Sequence, residues 1–282
     1  MQNQLLNLFL PMVPLVTLNN GLQMPQIGLG VYDPQPGHDI RQAVLWALEL
    51  GYRLIDTAAA YHNEVEVGQA MRDSGIARNE IFLTTKVWND DQGYNATLRA
   101  FEESLRKLNT DYVDLYLIHW PVREHRLQTW KALEKLYADG KARAIGVSNY
   151  YTPHFEELWP HTSIVPAVNQ IELSPYCHLP EELNYCRQRG IQVEGYAPLV
   201  RGLKSDDPRL INIAEKYNKS TFQVLIRWAI QQGAITIPKS VSKHRIAANI
   251  DVFDFELSTA DFAEMNTWHD DTRIAWNPME FL

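Results

Sequence analysis

Residues 81–119 read IFLTTKVWNDDQGYNATLRAFEESLRKLNTDYVDLYLIH, and this stretch shows the unit from which the whole chain is built. Its two ends, 81–87 and 113–119, are short apolar runs of the length expected for buried strands. Between them, 95–108 is an amphipathic segment with helical spacing. A strand, a helix and a strand in this order predict two parallel strands in one sheet, with the helix packed on a face of that sheet.

The same alternation continues from one end of the chain to the other. The predicted strands are 28–32, 53–57, 81–87, 113–119, 143–148, 167–172, 192–197 and 234–238. The predicted helical segments include 39–50, 63–73, 95–108, 129–139, 180–189 and 221–232. Because strands and helices alternate and no long Pro- or Ser-rich linker interrupts them, the pattern predicts an α/β protein folded as a closed (β/α)8 TIM barrel.

The competing architecture is a doubly wound parallel sheet, which would place a glycine-rich phosphate loop after its first strand. The sequence GLG at 28–30 begins such a loop, but Asp33 stands where the third glycine belongs. The dinucleotide fingerprint therefore fails, and the barrel is the better interpretation.

The segment 15–26 precedes the first barrel strand and carries Asn-Asn-Gly at 19–21, a strong turn signal. We expect an N-terminal β-hairpin there, closing the bottom of the barrel. We also expect residues 12–282 to form a single barrel domain. Residues 1–11 contain no pattern that would anchor them to it, so we expect either a disordered extension or a misassigned start.

Composition limits the possible partners. The chain has 282 residues and is 45% hydrophobic, enough for one sizeable core, and its net charge is −8. A negative net charge argues against a surface that binds nucleic acid or an anionic membrane. No apolar run is long enough to span a bilayer. The spacing of Cys177 and Cys186 fits neither a redox nor a zinc motif, and no histidine pattern indicates a metal site. We expect a cytoplasmic monomer.

Polar residues cluster at one position in the predicted strands. In a parallel barrel the carboxyl ends of the strands surround the functional mouth, whereas the amino ends serve folding. Eight polar residues from seven strands lie at or just past a carboxyl end: Asp56, Lys86, His119, Ser148, Asn149, Gln170, Tyr196 and Lys239. So many polar residues at this end of the predicted barrel indicate a functional site there.

Asp56, Tyr61, Lys86 and His119 together suit proton transfer. A nearby ammonium favours the phenolate and should lower the tyrosine pKa, a carboxylate keeps that ammonium charged, and an imidazole can orient a carbonyl oxygen. Each residue alone has another interpretation. Asp56 could cap a helix, Tyr61 could pack in a loop, Lys86 could be a solvated strand end and His119 a core histidine. The combination favours chemistry over these alternatives.

The chain resembles the aldo-keto reductase family over about 15–275. The resemblance lies in GLGVY (28–32), GYRLIDTAAAY (51–61), TTKVW (84–88), DLYLIHWP (114–121), IGVSN (145–149), NQIELSP (169–175), GYAPL (195–199) and IPKS (237–240) with Arg245. It implies an NADPH-dependent carbonyl reductase in which Tyr61 is the general acid. Lys86 and Asp56 would tune this acid, and His119 would orient the substrate.

The resemblance also implies a cofactor site. Ser148, Asn149 and Gln170 would hold the nicotinamide carboxamide, with Tyr196 stacked on the ring. Lys239, Ser240, Ser242 and Arg245 would surround the adenosine 2′-phosphate at a helix N-terminus, where backbone N–H groups favour anions. The other expected cofactor contacts are Leu199 and Asn249.

Substrate selection is less specified. Tyr32, Trp88 and Trp120 would wall the pocket beside His119, although Trp88 could equally be core. The short segment 122–128 and the short tail resemble bacterial 2,5-diketo-D-gluconate reductases. This implies an open pocket for a small polar carbonyl such as a keto-sugar acid, methylglyoxal or a keto ester. The alternative function is a cofactor-sensing regulatory subunit on the same barrel, similar to potassium-channel β-subunits.

Overall fold

The computed structural model describes residues 13–33, 35 and 37–282, so the expectation for residues 1–11 lies outside the described residues. A two-stranded antiparallel hairpin, β1 (Leu15–Thr17) and β2 (Gln23–Pro25), comes first. Eight parallel strands follow: β3 (Leu29–Gly30), β4 (Leu54–Asp56), β5 (Phe82–Val87), β6 (Leu115–Ile118), β7 (Ile145–Ser148), β8 (Val168–Glu172), β9 (Gln192–Tyr196) and β10 (Ile235–Thr236). The predicted hairpin and all eight predicted strands are confirmed.

The parallel strands are neighbours in chain order, and the sheet closes on itself. Isolated parallel bridges join Ile27 to Thr236 and Gly30 to Lys239, which brings the last strand beside the first. The backbone N–H of Gly28 donates to the Thr236 carbonyl at 2.9 Å across this seam. A Cβ on Gly30 would lie 2.7 Å from the Ile237 carbonyl oxygen, so the seam needs a glycine there. The predicted (β/α)8 barrel is thus confirmed.

Helices surround the sheet. They are α1 (Ile40–Glu49), α2 (Glu64–Asp73), α3 (Tyr94–Leu108), α4 (Arg126–Ala138), α5 (Thr152–Leu158), α6 (Pro180–Gln188), α7 (Pro208–Lys216), α8 (Thr221–Gln231), α9 (Lys243–Ile250) and α10 (Thr259–Met265). All six predicted helical segments are confirmed. Helices α5, α7 and α10 had no predicted counterpart; α5 and α10, with seven residues each, are too short to establish a clear helical period. No helix in the described ranges is long and apolar enough to cross a membrane.

The hairpin packs under the barrel. Leu18 and Met24 join a buried cluster with residues at the amino ends of the strands, among them Leu54, Phe82 and Leu115. Asn19 and Asn20, in the turn of the hairpin, donate side-chain hydrogen bonds to backbone carbonyls at the same end of the barrel. The expected closure of the bottom is therefore present, and the functional site must lie at the opposite end.

Asp114, just before β6, organises charges at this lower end. Its buried carboxylate accepts from Arg78 Nη1 at 2.9 Å and from Arg143 Nη1 at 2.8 Å, and also from the Leu83 backbone N–H at 3.0 Å. The group links the starts of neighbouring strands. Because it lies at the amino ends, its role is expected to be stability.

Asp114→Asn should lower the free energy of unfolding by about 2–3 kcal/mol. The carboxylate accepts from three donors, whereas the amide loses the charge and turns its own NH2 donor toward one of them. Urea denaturation measures the change. Asp139→Asn is the matched control, since Asp139 pairs with Lys135 on the solvent side of α4 and its loss should leave stability nearly unchanged. Equal losses in the two variants would contradict the role of Asp114.

Candidate active site

The upper end of the barrel brings the four predicted catalytic residues together. Asp56 ends β4, Lys86 lies near the end of β5, and His119 directly follows β6. Tyr61 lies in a 3-10 turn, Ala59–Tyr61, after β4. Lys86 Nζ donates to Asp56 Oδ1 at 2.7 Å, to the Thr57 carbonyl at 3.0 Å and to Tyr61 Oη at 3.4 Å. The lysine is therefore the centre of the group.

Lys86 is fully buried, so its charge depends on its neighbours. Burial alone would lower the pKa of Lys86, but the charge of Asp56 and the hydrogen bond to it act against burial, and the pKa is raised above its ordinary value. The lysine stays cationic in a water-poor interior. An ammonium held in this way can stabilise negative charge that develops on a nearby oxygen.

The acid strength of Tyr61 differs from the expectation. Burial raises the pKa of Tyr61 to about 12, although the charge of Lys86 acts in the lowering direction. The expected net lowering was wrong because desolvation of the phenolate exceeds the effect of one ammonium at 3.4 Å. Tyr61 consequently keeps its proton at neutral pH, which suits a donor rather than a base.

His119 is a neutral imidazole in this environment. Burial, together with the positive charge of Lys86, holds the pKa of His119 well below its usual range. The ring lies edge-on to Tyr61, with centroids 5.5 Å apart, and to Trp88, with centroids 5.1 Å apart. Its Nδ1 is buried and has no partner among the described residues. The histidine can therefore offer a hydrogen bond but no charge.

Four of the predicted nicotinamide contacts form one network beside this group. Asn149 Nδ2 donates to the His119 carbonyl at 3.0 Å and to Ser148 Oγ at 3.1 Å, and its Oδ1 accepts from Tyr196 Oη at 2.9 Å. Ser148 Oγ donates to the carbonyl of Gln170 at 2.8 Å. Asn149 has a left-handed backbone (φ 63°), which turns its side chain back toward the strand ends. The structure thus places Ser148, Asn149, Gln170 and Tyr196 together.

Gln170 is also joined to a residue that sequence reasoning missed. Its Nε2 donates to Asp56 Oδ2 at 2.8 Å and to Glu194 Oε2 at 2.7 Å. Glu194 is fully buried in β9, with Oε1 unpartnered among the described residues. A charged residue in the middle of the predicted strand QVEGYA at 192–197 was the signal that could have revealed it.

The predicted phosphate-binding residues surround the start of α9. Ser242 is the N-cap residue, and its backbone N–H donates to Ser240 Oγ at 3.2 Å. Arg245 is exposed on the helix and makes no side-chain hydrogen bond or ion pair within the described ranges. Asn249 is buried on α9, and Leu199 is half-buried before the turn Val200–Gly202.

Lys239 is not a free cation. Its Nζ lies 2.8 Å from Asp33 Oδ2, and the Asp33 side chain is only 4% exposed. His38 Nδ1 lies 2.5 Å from the same carboxylate oxygen. An anion binding at Lys239 would have to share it with Asp33. Sequence reasoning considered Asp33 only as a missing glycine, because a contact between the first and last strands leaves no local pattern.

The pocket wall contains more than the three predicted aromatic residues. Tyr32 lies against Tyr61, with centroids 5.0 Å apart. Trp276 in the C-terminal tail packs against Trp88 at 6.3 Å and Trp120 at 5.2 Å. The tail is held by Glu172 at the end of β8, whose carboxylate accepts from two backbone N–H groups of the tail. The short tail therefore adds Trp276 to the aromatic residues predicted to line the pocket.

A family model for the Aldo/keto reductase family matches residues 26–269. The chain belongs to the aldo/keto reductase family. The resemblance seen in its motifs is thereby confirmed, and the upper end of the barrel just described is the candidate active site of a family member. Within the described ranges, no cluster of His, Cys, Asp or Glu side chains could hold a metal ion.

Similar proteins cover nearly the whole chain. Glyoxal reductase from Bacillus subtilis (strain 168) is 51% identical over 267 residues, which are 95% of this chain and 97% of that protein. A crystal structure of a Bombyx mori aldo-keto reductase in complex with NADP matches with a TM-score of 0.89 and 39% identity, covering 94% of this chain and 95% of that one. A mutant of Gox0644 in complex with NADPH matches with a TM-score of 0.90 and 42% identity, covering 95% and 98%.

Glu172→Ala should release the tail of this reductase. Glu172 accepts from the Ile274 backbone N–H at 2.6 Å and from that of Ala275 at 3.1 Å, so hydrogen exchange at these two amides should become faster. Glu182→Ala is the matched control, because Glu182 accepts in the same way from the Thr152 backbone N–H. It should change exchange at 152 and leave 274–275 protected. Unchanged exchange at 274–275 in the Glu172 variant would contradict the anchoring role.

Proposed function

We propose that this protein is an NADPH-dependent reductase that converts an aldehyde or ketone to an alcohol, with Tyr61 as the general acid. Family membership and the NADP and NADPH complexes of similar structures support the cofactor. The observation that carries the proposal is a protonated phenol beside a buried ammonium and a neutral imidazole. These are the groups that a carbonyl oxygen needs while it gains negative charge.

The residues at the barrel mouth fit NADPH. A carboxamide needs hydrogen-bond donors and acceptors together, and Ser148, Asn149 and Gln170 supply both kinds. Gln170 Oε1 accepts no hydrogen bond within the described ranges, while both N–H groups of its amide are used. Tyr196 offers an aromatic face, and Ser242 and Arg245 at the start of α9 supply an N-terminal backbone and a cation for a phosphate. When bound, NADPH supplies the hydride.

Side chains of the protein supply the proton. Tyr61 Oη gives its proton to the carbonyl oxygen as the carbonyl carbon receives the hydride, so the product is the alcohol and the phenolate remains. Lys86, 3.4 Å away, stabilises that phenolate until it takes up a proton again. His119, held neutral, donates a hydrogen bond that positions the carbonyl oxygen between itself and Tyr61.

We propose a small carbonyl compound as substrate, with dicarbonyls such as glyoxal and methylglyoxal first. The name of the 51% identical glyoxal reductase supports this class. Tyr32, Trp88, Trp120 and Trp276 give an apolar wall, so the carbonyl group itself supplies the polar anchor, through Tyr61 and His119. Keto-sugar acids and keto esters remain in the proposed range.

Steady-state NADPH consumption with glyoxal, methylglyoxal, a keto-sugar acid and a keto ester tests the proposal. Turnover of any of these supports the reductase, and their kcat/KM values rank the substrate classes. Tight NADPH binding without turnover of the whole panel would instead favour the regulatory alternative. The relatives described above give that alternative no support.

Tyr61→Phe removes the proton donor and little else, so kcat should fall by roughly 10² to 10⁴. NADPH affinity, measured by fluorescence titration, should change little because the phenol oxygen belongs to the proton-transfer group. Tyr116→Phe is the matched control, since Tyr116 is buried against Phe101 and its hydroxyl has no partner in the described part of the chain. Normal turnover in the Tyr61 variant would refute the assignment of the acid.

Asp33→Asn should strengthen NADPH binding about threefold to tenfold and affect NADH less, because Lys239 loses its competing carboxylate. Fluorescence titration with each cofactor measures both affinities. Glu49→Gln is the control, because it releases Lys243, the first residue of α9, from an ion pair of similar length at 2.7 Å. Equal gains in both variants would show an effect of overall charge, not of Lys239.

A further inference from the structure

Glu194 is a buried acid without a cation of its own. Its side chain is fully enclosed within the barrel, where Oε2 accepts one hydrogen bond from Gln170 and Oε1 has no partner in the described part of the chain. Lys86 is the cation that acts on it, and that lysine is already paired with Asp56 at 2.7 Å. The proton transfer described above makes no use of Glu194.

A continuous series of hydrogen bonds links this acid to the proton donor. Gln170 Nε2 joins Glu194 Oε2, at 2.7 Å, to Asp56 Oδ2, at 2.8 Å. The other oxygen of Asp56 accepts from Lys86 Nζ at 2.7 Å, and the same Nζ lies 3.4 Å from Tyr61 Oη. A change of charge on Glu194 therefore acts on the ammonium that stabilises the phenolate of Tyr61.

The charges of Asp56 and Lys86 determine whether Glu194 is protonated. Two carboxyl groups face one ammonium in a water-poor interior, and the carboxylate in contact with Lys86 is that of Asp56. Burial, with the charge of Asp56, raises the pKa of Glu194 to about 8, against the lowering effects of the Gln170 bond and of Lys86. The neighbouring strand β10 contributes Ile235 and Thr236, which do not titrate.

We propose that Glu194 is a positioning residue for the proton donor. While Glu194 is neutral, the positive charge of Lys86 acts fully on Tyr61. When Glu194 is ionised, its negative charge diminishes the effect of Lys86 on Tyr61. The inference rests on Tyr61 being the acid, as proposed above. An additional negative charge inside the barrel makes the phenolate less favourable, so Tyr61 transfers its proton less readily. Reduction should therefore slow as Glu194 ionises.

Tyr61, His119 and Lys86 do not account for a transition in this range. Burial raises the pKa of Tyr61 to about 12, and burial together with Lys86 places the pKa of His119 well below its usual range. Lys86 stays cationic because the pKa of this lysine is raised. Burial raises the pKa of Asp56 as well, but Asp56 holds the ion pair with Lys86 at 2.7 Å, so a decline of kcat centred near pH 8 is assigned to Glu194.

Glu194→Gln tests the inference, because the amide oxygen still accepts from Gln170 but cannot ionise. In the wild type, kcat for reduction should fall about three- to tenfold between roughly pH 7 and 9, with KM for the carbonyl unchanged. In the variant, kcat should stay level over that range. Glu64→Gln is the matched control, since Glu64 is also buried, accepts from Thr85 Oγ1 at 2.8 Å and leaves one oxygen unpartnered. This control should keep the wild-type decline.

A second measurement uses the cofactor-free protein. An acid whose pKa rises from 4.5 to about 8 on folding binds more protons in the folded state, so stability falls as pH rises through that window. Thermal unfolding should show this slope in the wild type and a smaller slope in Glu194→Gln. If the glutamine variant folds poorly, Glu194→Met serves in both measurements, because it also removes the ionisation.

The two results separate the inference from the proposed function. A retained decline of kcat in the Glu194 variant, or an unchanged unfolding slope, would overturn the role of Glu194. If the Glu194 variant loses both the decline of kcat and the unfolding slope, but Tyr61→Phe turns over normally, then Glu194 titrates and the proton donor is another group. Loss of both, together with an inactive Tyr61 variant, supports the positioning role.

Discussion

The buried ion pair of Lys86 and Asp56 is the constraint on which the site depends. An ammonium without water needs a charged partner and further acceptors, and here it has the carboxylate at 2.7 Å and the Thr57 carbonyl at 3.0 Å. The remaining oxygen of Asp56 needs a donor, which Gln170 provides. The contacts of Thr57 and Gln170 next to Tyr61 thus satisfy this pair.

In this barrel the residues that stabilise the fold lie at the amino ends of the strands, and the candidate site lies at the carboxyl ends. At the amino ends, Asp114 and the hairpin residues Leu18 and Met24 hold neighbouring strands together. At the carboxyl ends, the polar side chains face one another and not the core. A neutral His119 and a protonated Tyr61 coexist with a permanent cation at these ends because burial disfavours the charged forms of both side chains.

The sequence was sufficient for the strands, the main helices and the residues at the strand ends, because both depend on local periodicity and on position within a repeating unit. It was insufficient wherever distant segments meet. The pair of Asp33 with Lys239 and the packing of Trp276 on Trp120 join residues with no shared pattern. The pKa of Tyr61 depends on burial, which only the closed barrel determines, so its expected direction was wrong.

The seam between β3 and β10 also sets an order of events. The bridges from Ile27 to Thr236 and from Gly30 to Lys239 join the two ends of the barrel sequence. A chain leaving the ribosome carries Asp56, Tyr61, Lys86 and His119 once His119 has emerged, yet the barrel cannot close before residue 239 follows. Until residue 239 joins the sheet, the gap between the first and last strands stays open, so the burial that shifts the pKa values of Tyr61 and His119 is incomplete. The acid–base character of the site is therefore acquired late in biosynthesis, when the last strand reaches the first.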